Sequence, residues 1–184
     1  RGGEMFGIVR VFFVVAGLAT APLYAQTTPP DPYAVMDEAL VTSARAGDPY
    51  DQINLGFALL AHQTTEAFQR AALEQFRLAY QGGLEMQPEA DLRLAGYAAR
   101  EIGNAEKTLS NFRDALAFLE EAERLFRSLP ASDEYNRMIA ILLEDQGIVL
   151  QDLSRYEEAL PRLKIAFDWH MDQDPPQRRA GLVL

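Results

Sequence analysis

No cysteine occurs anywhere in the 184 residues. That absence excludes a disulfide framework, a thiolate metal site, a cysteine nucleophile and a lipid-bearing cysteine anchor. Histidine is nearly missing too, with only His62 and His170 present. Both fall at predicted helix ends, without a second ligand at metal-binding spacing on the same turn, so the sequence implies no metal. β-Branched residues are scarce after residue 42, and no stretch alternates like a strand, which makes the expected fold class all-α. Without strands there is no Gly-rich strand-to-helix loop to cradle a phosphate. The 12 glycines and 10 prolines sit at joints between helical stretches. Serine and threonine fall mostly at predicted caps, where their oxygens satisfy helix N–H groups. The carboxylate pairs Glu120-Glu121 and Glu157-Glu158 diverge around their helices and read as solvated faces. No catalytic constellation remains, and the expectation is a protein that is not an enzyme and needs no cofactor.

Long apolar runs are absent but for one, Val11 to Ala19, which follows Arg10. A membrane span needs about 20 apolar residues, so this run is too short to cross. It suits the h-region of a secretion signal. Ala19-Thr20-Ala21 has the small-x-small form, but Pro22 would follow the cut. Leu23-Tyr24-Ala25, followed by Gln26, is the favoured cleavage site. Residues 1–25 are thus expected to be a signal peptide, with Met5 as the natural start, and the expected location is periplasmic or secreted. The whole chain has a net charge of −10, and losing Arg1, Arg10 and Glu4 makes the remainder one unit more negative. Such a surface repels nucleic acid and anionic lipid, so neither is an expected partner once the signal is removed.

Residues 26–32 form a Pro-rich linker, and residues 33–174 the expected helical domain. A helix is expected over residues 33–46, stopped by Gly47. Asp48-Pro49 opens a helix to His62, and Thr64 or Thr65 caps the next, which stops at Gly82-Gly83. Pro88 opens a helix to Leu109. Ser110-Asn111 caps one that ends near Leu129-Pro130. Ser132 caps a helix to Leu153. Ser154-Arg155-Tyr156-Glu157 has the form of a capping box for the last helix, which ends before Pro175-Pro176 and carries Pro161 inside it.

One pattern recurs along these helices. It reads Ala72-x3-Phe76-x2-Ala79, Ala115-x3-Leu119-x2-Ala122 and Ala159-x3-Leu163-x2-Ala166, at steps of 43 and 44 residues. The two small residues and the large one share a helical face: the small ones admit a neighbouring helix, and the large one fills the gap beside it. A constant period in this range marks stacked repeats, none of which buries its apolar face alone.

The last unit closely resembles a tetratricopeptide repeat. Gly147, Leu150, Tyr156, Ala159, Leu163 and Ala166 fall on that motif's glycine, aromatic, alanine and large apolar positions. The Tyr156-Glu157-Glu158-Ala159-Leu160-Pro161 run is similar to long-period repeats of the kinesin-light-chain type. The unit before matches at Gly103, Phe112, Ala115, Leu119 and Ala122, with Glu106 in place of an aromatic. The first matches at Gly56, Ala72, Phe76 and Ala79 if its first helix or turn gains about three residues. HEAT-type repeats share this period, and the glycine and alanine spacing favours the tetratricopeptide reading. The resemblance implies a right-handed α-α solenoid of helical hairpins whose first helices line a concave groove. Groove positions implied in this way are Tyr50, Ile53, Phe57, Leu60 and Ala61, then Tyr97, Arg100, Asn104, Lys107 and Thr108, then Ile141, Glu144, Ile148, Gln151 and Asp152. The candidate binding set is Arg100, Asn104, Lys107, Tyr97, Glu144 and Ile148. Arg100 and Asn104 match the first half of a carboxylate clamp, but Asp145 stands where the next unit needs asparagine. A basic second helix in an acidic chain suggests an acidic peptide or C-terminus as ligand.

Two functions are expected from this reading. The first is a non-enzymatic scaffold that holds a peptide or protein partner in its groove. The second is the N-terminal repeat region of a longer protein with a downstream enzymatic domain, such as a CHAT-type peptidase, by fold-level analogy. Residues 175–184 read as the start of a further repeat. The last helix would then lack a polar cap, with Leu163 and Phe167 partly bare and open to self-association.

Overall fold

A computed structural model describes residues 31–63, 65–86 and 91–172. The expected signal peptide, the cleavage site, most of the linker, Pro88 and residues 175–184 lie outside the described residues. The described chain is all-helical. A 3-10 turn, Pro32–Val35, is followed by α1 (Glu38–Arg45), α2 (Pro49–His62), α3 (Glu66–Glu85), α4 (Leu92–Thr108), α5 (Phe112–Ser128), α6 (Asp133–Asp152) and α7 (Tyr156–Met171). Each helix packs against the next in sequence. No described helix is long and apolar enough to cross a membrane.

The starts follow cap chemistry in several places. Asp48 accepts from the N–H groups of Tyr50 and Asp51 with Pro49 in the first turn, and Ser132 accepts from Tyr135 N. The helix expected over 33–46 is broken in two. Asp37 is the reason: its carboxylate accepts from Leu40 N at 2.9 Å, so α1 starts there and the segment before it closes as a 3-10 turn.

Two other expectations fail in an instructive way. Gly82-Gly83 does not stop a helix, because α3 runs on to Glu85. These glycines instead admit neighbours: a Cβ at Gly82 would lie 2.7 Å from Pro49 Cβ, and one at Gly83 3.1 Å from Ala95 N. Ser154 forms no capping box. It follows α6 at φ 59°, as Ser110 follows α4 at φ 63°. Asn111 N bonds Glu106 O at 2.8 Å and Ser110 N bonds Lys107 O at 2.9 Å; Arg155 N bonds Leu150 O at 2.8 Å and Ser154 N bonds Gln151 O at 2.8 Å. These are two copies of a Schellman turn, in which the serine takes the left-handed position that glycine usually fills. Gly47 ends α1 the same way at φ 97°.

The recurring pattern is one packing contact made three times. Phe76, Leu119 and Leu163 press on Gly56, Gly103 and Gly147 so closely that a Cβ would meet them at 2.4, 2.7 and 2.4 Å. The flanking alanines are all buried, at 2% exposure or less. The extra residues of the first unit are absorbed mainly at the start of α3, which has 20 residues against 17 in α5, rather than in the first helix or its turn. Pro161 is accommodated within an unbroken α7.

Glu106, which stands where the motif has an aromatic, is 2% exposed. Arg77 Nη2 of α3 meets its carboxylate at 2.5 Å, and Asn111 Nδ2 donates to it at 2.7 Å. A charge so buried persists only with such partners. This bond also explains why the Asn111 side chain does not cap α5.

Candidate functional site

Side chains tie α2 to α4, and α4 to α6. The Tyr50 hydroxyl donates to Asp91 at the start of α4, the Tyr97 hydroxyl donates to Glu134 of α6 at 2.9 Å, and Arg100 reaches Asp145 of α6. On the other side, Tyr80 of α3 donates to Glu121 of α5 and sets its ring edge against Phe118, while Arg162 of α7 meets Glu120 of α5. The first helices of the three units thus contact one another, as do the second helices.

Between α2 and α4 lies an apolar cleft of about 240 Å³, lined by Tyr50, Ile53, Phe57, Arg93, Leu94 and Tyr97. Three of the groove positions expected on α2 and one on α4 meet here. Tyr50 and Phe57 remain 42% and 45% exposed, although each is anchored. The Phe57 ring stands edge-on to Phe76 at 5.3 Å, and the Tyr97 ring edge-on to Phe126 at 5.1 Å. The hydroxyls of both tyrosines point to carboxylates, which leaves the rings as walls. Their acidities follow. The hydrogen bond to Asp91 raises the pKa of Tyr50, and burial followed by the Glu134 bond raises that of Tyr97. Burial pulls Asp91 upward, but the Tyr50 hydroxyl, the N–H of Leu94 and Arg93 together outweigh it and hold its carboxyl below the ordinary aspartate value.

Arg100 is not an open cation. Its side chain is 20% exposed, with Nη1 3.1 Å from Glu101 and Nη2 3.3 Å from Asp145. The aspartate that spoils the clamp motif occupies the arginine itself. Burial raises the pKa of Glu101 against the opposing pull of Arg100 and Asn104. Lys107 is half-buried and forms no ion pair among the described residues. Glu144 departs further from expectation. It is buried, and His170 Nε2 of α7 lies 3.3 Å from its Oε2. Residues 144 and 145 are 100° apart around α6, so one faces α7 and the other α4. Ile148 is 37% exposed and lines no part of the cleft.

The structure therefore gathers Tyr97 with Tyr50, Ile53 and Phe57, and Arg100 with Asn104, and takes Glu144 to a separate pair. Sequence reasoning missed Arg93 and Leu94, although Arg93 stands four residues before Tyr97 and so shares its face. It also missed the partners of Arg100 and the burial of His170. Among the described residues no group of three or more metal-ligating side chains gathers. No family model, curated protein or solved structure matches the chain.

Proposed function

We propose that the chain is an exported, non-enzymatic helical-repeat scaffold. In this reading its hairpins stack as a right-handed, tetratricopeptide-like solenoid, and a peptide or protein partner lies along the face shared by α2, α4 and α6. The observation that carries it is the apolar cleft of Tyr50, Ile53, Phe57, Leu94 and Tyr97 on that face. At about 240 Å³ it is smaller than the ~300–1,000 Å³ of small-molecule pockets and holds one large apolar side chain. Tyrosine is enriched at binding hot spots, and the rings of Tyr50 and Tyr97 are held in place by their hydroxyl bonds to Asp91 and Glu134. With Arg100 paired to Glu101 and Asp145, Lys107 of the expected set, joined by Arg93 at the rim of the cleft, receives an acidic group of the partner. The threefold glycine contact supports the stacked arrangement, because each unit repeats the same close approach.

Peptide display against the immobilised full chain tests this. Enriched peptides are expected to share one large apolar residue with an acidic residue close by. Their affinity should fall at least tenfold (about 1.4 kcal/mol) in a Tyr50→Ala, Phe57→Ser double variant that keeps its helical circular dichroism. Failure to enrich any peptide, or affinities indifferent to both substitutions, would reject the cleft as the binding site.

A further inference from the structure

The second helices of the three units carry leucine at one equivalent position: Leu73 in α3, Leu116 in α5 and Leu160 in α7, again at steps of 43 and 44. Leu73 and Leu116 are 9% and 5% exposed, whereas Leu160 is 70% exposed. The inward face of α7 does not cause this, since Ala159, Leu163 and Ala166 are all buried, as their counterparts are. The expectation that Leu163 would be partly bare fails: it is 8% exposed and pressed against Gly147. The neighbour makes the difference. α3 is covered by α4 and α5 by α6, and among the described residues no helix follows α7. One turn earlier the same contrast appears, with Phe112 half-buried and Tyr156 59% exposed.

Tyr156 and Leu160 begin a stripe that continues through Phe167 to Met171, which is 48% exposed. At 1.5 Å per residue the stripe runs about 22 Å. Its spacings are four, seven and four residues, and so read the same from either end. Two copies laid antiparallel about a two-fold axis would set Tyr156 against Met171 of the second copy, and Leu160 against its Phe167. We propose that α7 is a self-association surface, on which α7 of a second copy takes the place that α4 and α6 take on α3 and α5. A two-fold contact of this kind closes on itself and covers both stripes at once. One helical stripe buries less than the ~1,200 Å² of stable interfaces, so the dimer is weak and concentration-dependent. Ile165, also exposed, lies on the opposite flank. Its equivalent in α3, Leu78, is 45% exposed, so that flank faces solvent elsewhere in the repeat and takes no part.

Sedimentation equilibrium of the full chain over about 5–500 µM should show a monomer–dimer equilibrium. Leu160→Glu should weaken it at least tenfold without moving the melting temperature, and Ile165→Glu should leave it intact. The absence of native cysteine allows a positional check, because Lys164 lies nearest the proposed axis. Lys164→Cys should cross-link to itself through a short bismaleimide, and Leu78→Cys should not. A chain that stays monomeric, a dimer indifferent to Leu160→Glu, equal disruption by Ile165→Glu, or open-ended oligomers would overturn the proposal.

Discussion

The glycines of α2, α4 and α6 decide how closely the helices approach, and one of them gives a prediction whose sign is informative. In an exposed helix, Gly→Ala stabilises by up to about 1 kcal/mol. At Gly103 the new methyl would meet Leu119 Cγ at 2.7 Å and the Ala115 carbonyl oxygen at 3.1 Å. The carbonyl belongs to backbone and cannot swing aside. Gly103→Ala is therefore expected to destabilise by about 1–3 kcal/mol, the usual range for overpacking, and to lower the melting temperature. A raised melting temperature would mean that α4 and α5 lie further apart than described. Asp91 offers a second test. Its folded pKa is depressed, so the stability it contributes is present above the ordinary carboxylate range and is lost as pH falls through the folded value. Tyr50→Phe removes one of the bonds responsible. The Asp91 carboxyl should then titrate at higher pH by carbon-detected NMR, and acid unfolding should begin at higher pH. An unchanged titration would show that the Tyr50 hydroxyl does not reach Asp91.

Helix type, order and most boundaries were legible in the sequence because they depend on local chemistry: Asp48-Pro49, Ser132 and the alanine spacing each act within a turn or two. Turns were less legible. Serine next to a helix start reads as a cap, yet Ser110 and Ser154 close the preceding helix in the left-handed region. Ser110 and Ser154 stand 44 residues apart at equivalent positions and serve one geometry. Serine in the left-handed region is strained by ~1–2 kcal/mol, and the extra freedom glycine gives the unfolded chain offsets part of the gain. Ser110→Gly and Ser154→Gly should each stabilise by roughly 0.5–1 kcal/mol in chemical denaturation. If either destabilises, the hydroxyl has a role that the backbone bonds do not explain. The site was only half legible for a related reason. Tyr97, Ile53 and Phe57 follow from position on a helix, but the occupancy of Arg100 by Asp145 spans 45 residues and depends on how α4 and α6 lie together.

Across the molecule the buried apolar residues fall into two clusters. The first draws on α1 to α4, with Leu59, Phe76 and Ile102 among its members, and the second runs from Ala99 through Leu119, Leu142, Leu150 and Leu163. Helix α4 contributes to both, and Tyr80, Tyr97 and Phe118 touch both. Because contacts run chiefly between neighbouring helices, stability should be close to a sum of local terms rather than one all-or-none quantity. A cavity made at one end should then weaken that end most. Leu150 is fully buried in the second cluster, and Leu150→Ala should cost about 2–5 kcal/mol there. Native-state hydrogen exchange resolves the outcome helix by helix. Amides of α5, α6 and α7 should lose most of their protection, those of α4 an intermediate share, and those of α2 and α3 little. Uniform loss from α2 to α7 would show that the bridging tyrosines couple the two clusters into one cooperative core. Loss confined to α4 through α7 would show that the two clusters open separately, although α4 contributes side chains to both.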